Sequence, residues 1–174
     1  MIELRTERLT LRAARPEDAP CYALGIGEYA VARWLTALPW PYTLGMAIDW
    51  LRHAAAARPD CPFLIIEHPE RGLIGSVSLN EELGFWIARP HWGRGYGREA
   101  VRGLIDWHFA EGGTEIIASA QHDNGASLHL TNQLGFQPVA RQYRFSHALQ
   151  HNVDHIVSKL DRAHWTAGDK RRCA

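Results

Sequence analysis

The chain has 174 residues, 46% of them hydrophobic and 22% charged, with a formal net charge of zero. That suits one compact domain and gives neither a basic excess to attract nucleic acid nor an apolar run near the roughly 18 residues of a membrane span. Cys21, Cys61 and Cys173 are too few and too scattered for a disulfide framework, and the charged start MIELRTERLTL does not read as a secretory leader, so a cytoplasmic setting is expected.

In chain order, residues 10–13 continue an alternation carried by Leu9 and Leu11 and predict a first strand. Pro16, Glu17 and Asp18 then put a proline and two acids where a first helical turn favours them. Pro39-Trp40-Pro41-Tyr42 breaks both periodicities and makes a loop. Thr43 is placed to cap a second helix, with Ala47, Trp50, Leu51 and Ala54 on one face and an end near Pro59. Strands are predicted at 63–67, 73–79 and 83–88. A helix over 98–110 carries Ala100, Val101, Leu104, Ile105 and Phe109 at helical spacing and stops at Glu111-Gly112-Gly113. A strand at 114–120 follows, then a helix capped by Asp123 or Asn124 and ended by Gly135. Strands at 136–145 and 153–160 complete the order. The pattern predicts an α/β chain with a mixed sheet, in which two crossover helices join neighbouring strands. One domain over 1–174 is expected, with its core at 6–160 and a tail at 161–174 whose Lys170-Arg171-Arg172 reads as solvated.

The most informative stretch is HWGRGYGREA at 91–100, between the predicted strand and helix. Gly93, Gly95 and Gly97 let the backbone approach a ligand closely, and a helix start behind them offers free N–H groups to an anion. A dinucleotide turn needs G-x-G-x-x-G, and here Arg98 holds the third glycine's place. A P-loop needs Gly-Lys-Ser or Gly-Lys-Thr, which the chain lacks.

The string from Trp92 to Gly97 matches the last fixed positions of the Q/R-x-x-G-x-G/A turn of the GNAT N-acetyltransferases. TERLTLR at 6–12, WPYT at 40–43, LGFWIARPHWGRGYGREA at 83–100, NGASLHLTNQLGF at 124–136 and VDH at 153–155 extend the likeness over most of 6–160. In this order they resemble the RimJ/RimL-like branch, ribosomal-protein N-terminal acetyltransferases and their small-molecule relatives. Trp92 replaces the usual glutamine or arginine, and tryptophan there is common in that branch.

The resemblance implies an acyl-CoA N-acyltransferase fold: a central, mostly antiparallel sheet flanked by helices, opening as a V between its central parallel strands. It implies acetyl transfer from acetyl-CoA to a primary amine, by direct attack in a ternary complex, with no metal. Acetyl-CoA is expected on the backbone of Trp92, Gly93, Arg94, Gly95, Tyr96, Gly97 and Arg98. Arg94 and Arg98 are either phosphate donors or solvated arginines. The main chain at Ile87 and Ala88 is the expected oxyanion site. Asn124 is expected to contact the CoA arm or simply cap its helix, and Ser127 to protonate the departing thiolate where many members use a tyrosine at the place of Thr131. Glu82 is the expected general base through water, with a solvent-facing strand-end glutamate as the alternative. Neutralising a lysine-like amine at pH 7 costs about 4.6 kcal/mol, an α-amine only about 1 kcal/mol, so a weak base suffices for the second.

Trp34, Trp40 and Tyr42 lie in the region that borders the acceptor cleft in related folds, where simple packing is the default and lining a pocket, which would favour an apolar acceptor, is the alternative, whereas Trp50, Trp86 and Trp107 read as core. His147, His151 and His155 are four apart, a spacing that loses its meaning on a strand–loop–strand pair, and no metal is expected. His91 and His122 flank the cleft. Pairing of two copies along a strand edge is compatible with this reading. A non-catalytic acyl-CoA-binding module is the alternative, and a nucleotide- or NAD-binding protein is disfavoured by the glycine spacing.

Overall fold

The computed structural model describes residues 2–55 and 61–165. The predicted helix end near Pro59, Cys173 and the tail at 166–174 lie outside the described residues. Strand β1 (Leu4–Arg5) and strand β2 (Thr10–Arg12) pair antiparallel, and a 3-10 turn (Pro16–Asp18) leads into helix α1 (Ala19–Gly27). A one-turn helix α2 (Tyr29–Ala32) and helix α3 (Leu44–Ala55) follow, with the Met46 N–H donating to Thr43 Oγ1 at 3.3 Å. β1 and α2 escaped the sequence reading because two and four residues are too short to show a period.

Strands β3 (Phe63–His68), β4 (Gly72–Leu79) and β5 (Leu83–Ile87) form an antiparallel meander. Helix α4 (Tyr96–Ala110) crosses to β6 (Glu115–Gln121), parallel to β5, and α5 (Gly125–Gln133) leads to the hairpin β7 (Gln137–Ser146) and β8 (His151–Asp161). Sheet order is β1-β2-β3-β4-β5-β6-β8-β7. The first crossover joins neighbours, as expected. The second does not, because β8 intervenes between β6 and β7. Composition explains the swap: β8 buries His155, Val157, Ser158 and Leu160, while β7 carries Pro138 and is exposed along most of its length, as an edge strand allows.

Alternation along β3 feeds two cores. Leu64 and Ile66 join Leu11, Val77, Leu104 and Ile105 beneath α4. Ile65 faces the other way and joins Tyr22, Ile26, Leu51 and Trp86 beneath α1 and α3. Arg12 ties β2 to both: its guanidinium holds Asp18 at 2.8 Å and Glu67 at 2.9 Å, with Arg12 and Asp18 buried. Among the described residues no helix is long and apolar enough to cross a membrane.

The opening that matters lies at the centre of the sheet. β5 and β6 are parallel and meet at Leu83↔Ala118, while β6 pairs with β8 from Glu115 to Gln121. Past that single meeting point the two central strands diverge toward their C-terminal ends, where α4 and α5 begin. Ligands of α/β sheets collect at such a place.

Candidate active site

The glycine turn is built to expose backbone N–H groups. Gly93 and Gly95 have φ of +71° and +80°, the left-handed region that glycine enters without penalty. Gly95 is the N-cap of α4, and its carbonyl accepts from the Glu99 N–H at 3.0 Å. The N–H groups of Tyr96, Gly97 and Arg98 come before that first helical bond and have no intrahelical acceptor. Together they form an anion cradle at the helix's positive end.

Distant residues hold the turn in place. Arg8 donates from Nε to Glu99 at 2.7 Å and from Nη1 to the Arg94 carbonyl at 3.1 Å, and its guanidinium lies 4.7 Å from the centre of the Tyr96 ring. Thr6 Oγ1 and the Arg8 N–H donate to Glu99 Oε1 at 2.6 and 2.7 Å. Burial pushes the Glu99 carboxyl up, but the donors from Thr6 and Arg8 outweigh it and hold the group below its ordinary range. This support falls in the TERLTLR stretch, whose likeness to the family could have signalled it. Trp92 fastens the near side: its indole N–H donates to the Ile87 carbonyl at 2.6 Å, tying the turn to the end of β5.

A cleft of about 1310 Å³ runs from this turn past the N-terminus of α5 and over β3–β5. Trp92, Gly93, Gly95, Tyr96, Gly97 and Arg98 border it, whereas Arg94 does not. Of the two expected oxyanion groups, Ala88 is already used, because its N–H donates to the Ile74 carbonyl at 2.8 Å. Alternation in the antiparallel ladder turns the Ile87 N–H to the opposite side, toward the divergence from β6. Of the pair, only the Ile87 N–H is left without a partner in the β4–β5 ladder.

On α5, Asn124 is the N-cap, its Oδ1 accepting from the Ser127 N–H at 3.2 Å, and both residues line the cleft. Thr131 Oγ1 is committed to the carbonyls of Ser127 and Leu128 at 3.1 and 3.2 Å. Ser127 Oγ has no hydrogen-bond partner among the described residues.

Glu82 is not the solvent-facing group of the alternative reading. Arg144 reaches it with both terminal nitrogens, at 2.6 and 2.9 Å, and Ser119 Oγ donates to it at 2.5 Å. The Arg144 bond holds the carboxyl below its ordinary range against the opposing effect of burial. His155 borders the same pocket, with Nε2 3.0 Å from Thr36 Oγ1 and Nδ1 buried without a partner. Burial first, and the Arg144 charge second, lower its pKa and keep the imidazole neutral. No spacing in the sequence joins Arg144 to Glu82, 62 residues away, so the sequence reading missed Arg144 and Ser119.

At the far end Trp34 and Tyr42 line the cleft, but Trp40 does not. The Trp40 indole donates to the Gly27 carbonyl at 3.1 Å and its ring packs edge-on against Tyr29. Trp50 is the reverse correction: expected in the core, it is 46% exposed and borders the cleft. Among the titratable neighbours, His91 borders the cleft and His122 does not. Among the described residues no three His, Cys, Asp or Glu side chains gather to hold a metal ion.

The family model for the acetyltransferase (GNAT) domain matches residues 8–137. The chain is a GNAT acetyltransferase. It is similar to an N-acetyltransferase of Bacillus licheniformis called p20, 31% identical over 152 residues that cover 79% of this chain and 83% of that one. Among solved structures the acetyltransferase resembles a ribosomal-protein-S5-alanine acetyltransferase from Vibrio fischeri, with a TM-score of 0.80 at 20% identity, covering 95% of this chain and 99% of that one. It also resembles the microcin C7 self-immunity acetyltransferase MccE, solved with acetyl-CoA and AMP, with a TM-score of 0.75 at 16% identity and coverage of 89% and 93%. Both structural likenesses are likenesses of fold. They fit a sheet that is antiparallel except where β5 meets β6.

Proposed function

We propose that this GNAT acetyltransferase carries acetyl from acetyl-CoA to a primary amine by direct attack in a ternary complex, within the RimJ/RimL-like branch. The observation that carries the proposal is convergence: the glycine turn, the start of α5 and the free side of β5 all border one cleft. The cradle suits a pyrophosphate, since Gly93 and Gly95 take up positive φ and neither puts a side chain over the N–H groups. The solved relative MccE, which holds acetyl-CoA, supports the choice of donor. The bound thioester supplies an activated acyl carbon. The Ile87 N–H stabilises negative charge developing on the acyl oxygen. Glu82, ionised and steered by Arg144, takes the amine proton through water as the N–C bond forms. Ser127 hydrogen-bonds the sulfur and passes it a proton as the C–S bond breaks, its own hydroxyl being reprotonated from water.

The acceptor amine is either a protein N-terminal α-amine or a small-molecule amine. Cys21 and Cys61 are free thiols, which suits the reducing cytoplasm of this reading. β7 is one of the two edges of the sheet and exposes Val139, Tyr143 and Phe145, so two copies pairing there belong to this reading as well. The test is release of free CoA thiol from acetyl-CoA across peptide N-termini and small amines, with the acetylated amine identified by mass. Turnover with at least one primary amine is expected. Acetyl-CoA binding without turnover over the panel would point to a binding module instead, and binding of NAD or ATP in place of CoA would overturn the donor.

A further inference from the structure

Resting on that reading of the cleft, we infer that the acceptor is an arylalkylamine, a primary amine carried on a flat aromatic body. The inference comes from the end of the cleft away from the glycine turn. Three register partners cross the sheet there on one face: Phe63 on β3, Ser78 on β4 and Gly84 on β5. Partners directly opposite share a face, so the row steps from a large ring to a hydroxymethyl group to no side chain at all. Ser76, two residues along β4 on the same face, also borders the cleft but is buried between its register partners Ile65 and Trp86, so the low floor ends there. A Cβ on Gly84 would stand 3.2 Å from Ser78 Oγ, so even one methyl group would crowd the recess at that point.

Aromatic rings wall this floor. Trp50 meets Phe63 edge-on with centroids 5.8 Å apart, and Tyr22 meets Phe63 at 6.2 Å. Tyr42, half-buried and pushed up in pKa by that burial, borders the same recess. Trp50 sits on α3 with nearly half its surface open, although the buried Leu51 beside it packs normally. An apolar ring left open beside a floor of small residues offers a face for another ring to stack against. The recess is separate from the donor's place, since the cradle lies beyond the C-terminal end of β5 and Gly84 lies near its start.

The charges select against other amines. Among the described residues two carboxylates border the cleft, Asp49 and Glu82. Glu82 is held by both terminal nitrogens of Arg144, and Asp49 is an exposed group 3.2 Å from Arg52. Among the described residues a polyamine or an amino sugar carrying several ammonium groups therefore meets no unpaired acid inside the recess. One amine at the edge of an apolar body asks only for the polar end at Glu82.

The test compares 2-phenylethylamine and tryptamine with butylamine, spermidine and an alanine-starting peptide, by free-thiol release from acetyl-CoA. A ring stacked in the recess is expected to raise kcat/KM for the arylalkylamines roughly tenfold over butylamine. Trp50→Ala and Ser78→Leu, the second filling the floor, are each expected to raise KM for 2-phenylethylamine several-fold and leave KM for acetyl-CoA unchanged. Calorimetric binding of 2-phenylethylamine to the enzyme is expected to weaken in parallel. Preference for spermidine or the peptide, or an unaltered KM in both variants, overturns the inference and leaves acetyl transfer standing. Absence of thiol release from every amine overturns the acetyl-transfer reading itself.

Discussion

Ser127 and Thr131 stand one turn apart on α5 and differ in what their hydroxyls are doing. Thr131 gives its proton to two carbonyls of its own helix, at 3.1 and 3.2 Å, so it is a poor substitute for a tyrosine that protonates a thiolate. Ser127 lines the cleft with an uncommitted hydroxyl, placed by the Asn124 cap that accepts from its backbone N–H. The same cap settles what Asn124 does in the chain's own structure, whatever contact it adds to a ligand. A CoA thiol leaves readily, its pKa being near the ordinary thiol value of about 8.5, so the acid's share of catalysis is small by the standards of proton transfer. Ser127→Ala is accordingly expected to lower kcat about tenfold, below the roughly hundredfold at which general-acid effects usually start. Steady-state kinetics with saturating amine check this, with Thr131→Val as a control that keeps kcat near the parent value. A Ser127→Ala enzyme with unchanged kcat removes the proton-donor role.

At the scale of elements, the turn before α4 depends on backbone conformation more than on side-chain charge. Gly95 ends the turn at φ +80° and begins the helix, and a Cβ there would lie 3.4 Å from the Arg8 guanidinium. Gly95→Ala therefore incurs about 1–2 kcal/mol of left-handed strain, and relaxing that strain rotates the N–H groups away from their common focus. The expected outcome is a rise of roughly tenfold in KM for acetyl-CoA, with a modest fall in melting temperature, measured by kinetics and thermal unfolding. Arg94→Ala, by contrast, should change KM little, because only its carbonyl is engaged in the turn. This turn was legible in the sequence because φ-restricted glycines and a helix start are local facts. So were most strands, since alternation is local as well. The place of β8 between β6 and β7 was less legible, as it rests on which strand of a hairpin is the more apolar. The Arg144–Glu82 clamp was not legible at all, because an ion pair between residues 62 apart in the chain leaves no periodic mark. Trp50 was misplaced for a related reason: an aromatic residue in an apolar pattern serves a core and a cleft wall equally well, and only the tertiary neighbours decide between them.

Across the whole molecule, charges reinforce junctions between elements that the two cores pack together. Arg12 on β2 clamps Asp18 at the entry to α1 and Glu67 on β3, and Glu99 binds α4 to the segment between β1 and β2. Burial pushes the Asp18 carboxyl up, but bonds from Arg12 and the Arg15 N–H hold it below its ordinary value. The Arg12 bond likewise lowers Glu67, and the Arg144 bond lowers Glu82. A carboxyl whose folded pKa is depressed adds stability that is complete above its unfolded value and is lost as pH falls through the folded one. For these groups that loss begins below about pH 4.5. His91 and His155, lowered chiefly by burial, act in the same direction but earlier. Below their unfolded pKa of about 6.5 the unfolded chain takes up protons that the folded chain refuses, which favours unfolding. Stability measured by urea unfolding is therefore expected to be level from pH 8 to 7, to decline gently below about pH 6.5, and to fall steeply below about pH 4.5. Arg12→Gln isolates the buried clamp. It leaves Asp18 buried without its cation and should cost about 3–5 kcal/mol at pH 7. It should also flatten the acid limb, because Asp18 and Glu67 then lose the Arg12 bonds that hold them below their ordinary values. An acid limb of unchanged steepness in Arg12→Gln would show that the stability of the fold in acid is set elsewhere, by Glu82 and Glu99 around the cleft.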